Sequence, residues 1–208
     1  MISKLRGKIG FLQNVLAYPF IKLKVSPNVI SVLGLILAII GAYFVTQQNW
    51  LLALIFFILA PTMDLIDGTV ARALNKRSNW GNYFETMIDK LVDFAMLGSF
   101  VFFYPVAAVL ALGFSALSSY AKPRVALIII TDNRDWPAIG EHADKLVLVL
   151  VALLLATMGF NYIEYFLYLI ALITAVGTLQ RMIYAKKLIK EAEKKGTLLP
   201  YIKKKKER

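Results

Sequence analysis

Residues 64–93 lie between two strongly apolar runs and read DLIDGTVARALNKRSNWGNYFETMIDKLVD, a stretch with five acids: Asp64, Asp67, Glu85, Asp89 and Asp93. Asp64 and Asp67 stand three apart, which on a helix places them on one face, and Glu85, Asp89 and Asp93 stand four apart and form a second stripe. The join between the two helices is short, so the helices are antiparallel neighbours whose acidic stripes can face each other. A carboxylate at mid-membrane depth costs roughly 2.5–3.5 kcal/mol. Five without compensation would cost on the order of 10 kcal/mol or more, as much as the stability of a whole domain. Positive charge must sit among them. Clustered carboxylates are hard oxygen ligands, which suits Mg²⁺, Mn²⁺ or Ca²⁺.

Written as a pattern, the stretch is D-x2-D-G-x2-A-R-x8-G-x3-E-x3-D. It closely resembles the signature of the CDP-alcohol phosphotransferases, which has Asp where this chain has Glu85. The other fixed positions, Asp64, Asp67, Gly68, Ala71, Arg72, Gly81 and Asp89, match at the family's spacing. The resemblance implies attack of an alcohol oxygen on the β-phosphorus of a CDP-linked lipid, with release of CMP. Such a reaction needs charge neutralisation and in-line positioning more than covalent help. The resemblance implies two ions, Mg²⁺ or Mn²⁺, held by Asp64, Asp67, Glu85 and Asp89. Asp89, the last acid of the signature, is the expected catalytic base.

For the CDP-lipid, the resemblance implies Arg72 as the pyrophosphate ligand, with its planar fork. Gly68, Ala71 and Gly81 are small and let a nucleotide lie against the helix backbones. Ser78 falls in the loop where similar proteins place a hydroxyl near the nucleotide. Pro27, Asn28 and Ser31 match a Pro-Asn-x-x-Thr element of the family, with Ser for Thr. Asp93 lies outside the signature, and a hydrogen-bonding role is expected for it rather than metal ligation. The rival register shifts the ligand set by one helical turn, so that Asp89 and Asp93 ligate and Glu85 stands outside.

Other readings of the acids explain less. A purely structural ion-pair cluster needs counter-charges, and only Arg72 and Lys90 lie nearby in sequence. Intramembrane acids also mark ion-coupled transporters, but a transporter would not require Gly68, Ala71, Arg72 and Gly81 at these spacings. A family member that binds CDP-lipid without turning it over would rest on Glu85 alone.

The elements that must hold these residues are membrane helices. The chain has 208 residues, 59% of them hydrophobic, and no cysteine; its mean hydropathy is +0.64. That is too apolar for an ordinary soluble domain, and without cysteine there is neither a disulfide framework nor thiol chemistry. The net charge of +11 gathers at membrane edges, so anionic headgroups and phosphate substrates are the expected partners rather than nucleic acid. Lys4, Arg6 and Lys8 interrupt the first apolar stretch, so no cleavable signal peptide is expected.

The expected fold is a single all-α membrane domain over 1–208. Residues 1–25 form an amphipathic helix in the interface, with Lys4, Arg6, Lys8 and Lys22 among its polar positions. Residues 26–191 form a bundle of six transmembrane helices, at about 27–46, 51–75, 79–104, 106–130, 138–158 and 162–191, each close to the ~20 residues needed to span. A polar loop occupies 131–137, and 192–208 is a basic tail. Lys and Arg occur in the N-terminal segment, at 76–77, at 122–134 and at the C-terminus, whereas the turns at 47–50, 104–106 and 158–163 have none. The positive-inside rule then puts both termini and the acidic cluster on the cytoplasmic side of the cell membrane. By resemblance the protein is a homodimer.

Three further stretches resemble one branch of the family, the phosphatidylinositol-phosphate synthases. Residues 119–124, SYAKPR, match its Ser-Tyr-x-Lys-x-Arg. Residues 141–146, EHADKL, lie where it has Glu-Arg-Pro-Glu-Arg-Leu, and Gln180 and Arg181 match a Gln-Arg pair in the last helix. The expected topology brings Lys122, Arg124, His142, Lys145 and Arg181 to the cytoplasmic side, where converging cations suit an acceptor that carries a phosphate. Inositol phosphate is therefore the expected acceptor, with glycerol phosphate and then serine as alternatives. His142 and Lys145 replace the branch's arginines. Plain positive-inside anchoring is the competing account of these cations.

Overall fold

The structure is a computed structural model; it describes residues 2–130, 136 and 138–199, and of residues 2–9 and 11 the backbone only. The expected basic side chains at 4, 6 and 8, most of the 131–137 loop, and the basic run at 203–208 lie outside the described residues.

The described chain is helical: α1 (Ile2–Lys22), α2 (Pro27–Thr46), α3 (Trp50–Ala73), α4 (Asn79–Gly98) followed by a 3₁₀ turn (Ser99–Phe102), α5 (Pro105–Val125), α6 (His142–Thr157) and α7 (Ile163–Lys195). Local chemistry sets the starts. Pro27 and Pro105 occupy the first helical position of α2 and α5, where the missing N–H would have no intrahelical partner in any case. Asn49 caps α3 by accepting from the Leu52 N–H at 3.1 Å. The Ser78 hydroxyl accepts from the Gly81 N–H at 2.9 Å and caps α4. Glu141 and Asp144 form a reciprocal capping box at the head of α6.

Four boundaries differ from expectation by four residues or more, the last of them the end of α7, which runs to Lys195 rather than 191. The apolar run at 125–130 predicts a continuation of α5 to residue 130, but the helix stops at Val125, two residues after Pro123 has removed a backbone donor. The chain then pairs Ile129 with Leu198 in an isolated antiparallel bridge. The helix expected from 138 starts at His142, because Gly140 takes a positive φ of 75° that no helix accommodates. The helix expected to reach 104 ends at Gly98 and tightens into the 3₁₀ turn.

Among the described residues four helices, α2, α3, α5 and α7, are long and apolar enough to cross a membrane. Their outer faces carry exposed Ile36, Ile39, Ile55, Ile58, Leu172 and Leu179, a surface that lipid accepts and water does not. The other two of the six expected spans fall short by length and composition. α4 carries Glu85, Asp89, Lys90 and Asp93. α6 has only 16 residues, about 24 Å of helix against a hydrocarbon core of about 30 Å.

α2 packs against both α3 and α4, α5 against α7, and α6 against α3 and α7, whereas α3 and α4 touch only sparingly. Small residues allow the closest of these approaches: a Cβ on Gly41 would lie 2.5 Å from the Phe57 ring. The main core, with Phe57, Phe100, Leu153, Leu167 and Ile170, fixes the helices around the polar residues between them. α1 joins through a separate cluster in which Ala17 meets Ile30, Ile66 and Val70.

Candidate active site

Asp64 and Asp67 lie on α3 and Glu85 on α4, and one carboxylate oxygen from each falls within 4.8 Å of the others. Asp67 is 2% exposed. Its Oδ2 accepts a hydrogen bond of 2.5 Å from the Ser31 hydroxyl on α2. Its Oδ1 is buried and has no hydrogen-bond partner among the described residues. A buried carboxylate oxygen left without a donor is an expensive arrangement, and here it stands beside two further carboxylates. The donor set is all oxygen and strongly negative, so these residues fit hard divalent cations. Asp89, one turn beyond Glu85 on α4, lines a small cavity with Asp64, Asp67 and His142.

Asp93 stands apart from this group. Its Oδ1 pairs with His142 Nδ1 at 2.8 Å and its Oδ2 with Lys145 Nζ at 2.5 Å. Both partners belong to α6, and Lys145 is 4% exposed. With both oxygens engaged by α6, Asp93 is a hydrogen-bonding residue, and Glu85 is the α4 carboxylate that meets Asp64 and Asp67. The one-turn shift of register would require the reverse.

A cavity of about 340 Å³ opens beside the carboxylates and is lined by Asn28, Ser31, Asp67, Gly68, Ala71, Arg72, Ser78, Gly81 and Glu85. Every residue that the sequence assigns to the CDP-lipid is on its wall. Arg72 is steered by its own helix, since Nη2 donates to Thr69 Oγ1 at 2.8 Å. A Cβ on Gly81 would stand 3.1 Å from the Ser78 hydroxyl that caps the helix, and in ordinary contact, 3.8 Å, with Asn28 Oδ1. Sequence reasoning missed Lys76, Arg77 and Asn82 on the same wall. The first two read only as a basic turn, although a cation pair within the motif's loop was a usable signal.

A second cavity, of about 580 Å³, is lined by Lys122, His142, Lys145 and Arg181, together with Thr86, Lys90, Ser118, Ser119 and Glu141. Arg181 is braced there: Nη1 donates to the Ser118 carbonyl at 3.3 Å and to the Ser118 hydroxyl, and Nη2 lies 3.6 Å from Glu141 Oε1. The structure does not bring Arg124 to this wall; Arg124 lines a groove between α5 and α7 with Tyr120 and Lys186. Two residues along a helix turn a side chain through about 200°, so Lys122 and Arg124 point to opposite sides of α5. Lys90 was legible only as a neighbour of the acids, and its place in this cavity follows from the helix packing.

The loop that delivers Glu141 and His142 is pressed onto α7. A Cβ on Gly177 would lie 2.0 Å from the Ile139 carbonyl oxygen, and one on Gly140 would lie 3.0 Å from Thr174 Cα. The Ile139 N–H donates to Gln180 Oε1 at 2.9 Å. The Gly140 and Glu141 N–H groups both donate to Asp144 Oδ2 at 3.0 Å. Asp144, which in sequence reads as a local partner of Lys145, serves as a cap.

Comparison with known proteins bears on the family and the fold. The family model described as CDP-alcohol phosphatidyltransferase matches residues 24–176. The chain is 28% identical over 194 residues to the archaetidylinositol phosphate synthase of Pyrococcus horikoshii, covering 90% of this chain and 97% of that one. It superposes on the phosphatidylinositol phosphate synthase of Mycobacterium tuberculosis solved with CDP-DAG bound, with a TM-score of 0.71 at 19% identity, over 83% of this chain and 92% of that one. The same enzyme in complex with manganese and citrate matches with a TM-score of 0.71 at 18% identity, over 84% and 88% of the two chains.

Proposed function

The chain is an enzyme of the CDP-alcohol phosphatidyltransferase family, and from that premise we propose that it transfers the lipid phosphate of a CDP-linked lipid to inositol phosphate. The observation that carries the acceptor is the second cavity, whose wall gathers Lys90, Lys122, Lys145 and Arg181 next to the carboxylate cluster. Among the described residues Glu141 is the one acid on that wall, so the cavity carries an excess of positive charge that suits a phosphate on the acceptor. The likeness to a synthase of an inositol phosphate lipid over nearly the whole chain supports the same choice.

In this reading the acceptor hydroxyl attacks the β-phosphorus of the CDP-lipid. A new bond forms between that oxygen and phosphorus, the pyrophosphate bridge breaks, CMP leaves with the bonding electrons, and Asp89 takes the hydroxyl proton. Asp64, Asp67, Glu85 and Asp89 would hold two ions, Mg²⁺ or Mn²⁺; when bound, such ions neutralise the phosphoryl oxygens and the leaving group. The manganese complex of the structural relative supports the metal class. Arg72 binds the pyrophosphate from the nucleotide cavity, and Ser31 fixes the orientation of Asp67.

The six helices α2–α7 all span the membrane in this proposal. The charges of α4 face the interior of the bundle, and α6 is lengthened by the loop seated on α7. α1 lies in the interface, both termini and the active site are cytoplasmic, and the assembly is a homodimer. The decisive experiment incubates the purified protein with labelled CDP-lipid, Mg²⁺ and a panel of inositol phosphate, glycerol phosphate, serine and inositol. The expected product is a phosphorylated inositol lipid with stoichiometric CMP. A product from glycerol phosphate alone would overturn the acceptor and keep the chemistry, and no CMP from any acceptor would overturn both.

A further inference from the structure

Three cavities lie in a row through this site. The nucleotide cavity and the carboxylate cavity share Ser31 and Asp67. Among the described residues, the carboxylate cavity and the acceptor cavity share one residue, His142. An acceptor anchored by its phosphate at Arg181 and Lys122 must therefore present its reacting hydroxyl to the carboxylates past the His142 ring.

The ring is held for that task. Its Nδ1 is committed to Asp93 Oδ1 at 2.8 Å, which leaves Nε2 as the nitrogen that can reach a substrate. In the neutral ring with Nδ1–H given to the carboxylate, Nε2 carries the lone pair and suits a hydroxyl O–H. Asp93 is in turn fixed by Lys145, at 2.5 Å from its other oxygen. α4 packs on α2 and α5, and α6 on α3 and α7, so this trio, with Asp93 and Lys145 buried and His142 half-buried, is a direct tie between the helix of the proposed base and the helix that carries His142. His142 itself begins α6, just after the loop pinned against Gly177 and Gln180.

We propose that His142 aligns the reacting hydroxyl of the acceptor by a hydrogen bond to Nε2, with Asp93 as the positioning residue that orients the ring. The inference rests on the acceptor reading above and sharpens it. The phosphate end of the acceptor belongs to Arg181 and Lys122, the hydroxyl end to His142, and the base remains Asp89.

Two amides separate this role from a structural one. His142→Asn places its amide near the position of Nδ1, so it keeps the contact with Asp93 and removes Nε2. His142→Gln places its amide near Nε2 and gives up the contact with Asp93. The full-length protein is assayed for CMP release with CDP-lipid, Mg²⁺ and inositol phosphate. His142→Asn should lower kcat by about tenfold to a hundredfold, the loss typical of a misaligned reactant, with the KM for inositol phosphate changed by less than about threefold. His142→Gln should retain several times the kcat of His142→Asn. Asp93→Asn should lower kcat in the wild-type background and have little further effect in the His142→Asn background.

The reverse order, with His142→Asn active and His142→Gln inactive, would overturn the proposal and make the ring a structural tie. An unchanged kcat with a raised KM would likewise overturn it and return His142 to the phosphate end. If the wild type turns over glycerol phosphate instead, the acceptor assignment fails while the same variants, run on that acceptor, still decide the role of His142.

Discussion

Gly177 tests whether the acceptor wall is built by the close seating of the 138–141 loop on α7, because it does not line the nucleotide, carboxylate or acceptor cavity yet sets where that loop sits. A Cβ at this position would stand 2.0 Å from the Ile139 carbonyl oxygen, whereas ordinary contact begins at 3.4 Å. Gly177→Ala must therefore push the loop away by about 1.4 Å, an overpacking of the kind that costs about 1–3 kcal/mol. The hydrogen bond from the Ile139 N–H to Gln180 Oε1, 2.9 Å long, does not survive such a shift. Glu141 and His142 follow directly in the chain and move with the loop. A displacement of about 1 Å at a positioning residue lowers turnover by about a hundredfold.

The expected outcome for Gly177→Ala is a loss of kcat/KM for inositol phosphate of about tenfold to a hundredfold, measured as acceptor-dependent CMP release. Binding of CDP-lipid without acceptor should be unchanged, because the nucleotide cavity is built from α2, α3 and α4. Gly113→Ala is the control: it lies on α5 with nothing within 4 Å, and it should gain only the ~0.8–1 kcal/mol of helix propensity that alanine brings. Normal acceptor kinetics in Gly177→Ala would refute the argument, and so would an equal loss of CDP-lipid binding.

Other expectations follow from the same geometry. Arg181→Ala should raise the KM for the acceptor far more than that for CDP-lipid, read from initial rates with each substrate varied in turn; equal effects would remove Arg181 from the acceptor site. Glu85→Ala and Asp89→Asn should each abolish metal-dependent turnover, with CDP-lipid still bound by Asp89→Asn, while Glu85→Asp keeps a substantial part of it. Asp93→Ala should be milder in turnover than Glu85→Ala or Asp89→Asn but less stable to heat, because removing one partner of a buried ion pair costs about 3–5 kcal/mol. Ser31→Ala leaves Asp67 without the donor that orients it, and should raise the Mg²⁺ concentration for half-maximal activity by about tenfold to a hundredfold, measured after EDTA treatment and metal titration.

Much of this site is a local matter and could be read from spacing. Asp64 and Asp67 share a face of α3 because three residues make nearly one turn, and Gly68 and Ala71 each sit about one turn further along the same helix. The runs that form α2, α3, α5 and α7 were legible as helices long and apolar enough to cross a membrane, because length and composition alone decide that. The ends of α5 and α6 were harder to read. An apolar run continues past Val125, and Ala138 and Ile139 read as a helix start, but the breaks come from Pro123 and from the positive φ of Gly140.

What the sequence left open was ownership of side chains between helices. Glu85 and Asp93 are the same distance from Asp89 along α4, and periodicity treats them alike. Only the placement of α6 decides between them, by bringing His142 and Lys145 onto Asp93 and leaving Glu85 to Asp64 and Asp67. Lys122 and Arg124 stand two apart, so spacing alone puts them on opposite sides of α5, but which of the two meets the acceptor cavity depends on how α5 is rotated in the bundle. Spacing fixes which residues of one helix share a face. Which faces meet depends on the packing of all the helices at once, and contacts that close loops of 49 and 52 residues, as those of Asp93 with His142 and Lys145 do, leave no trace in local periodicity.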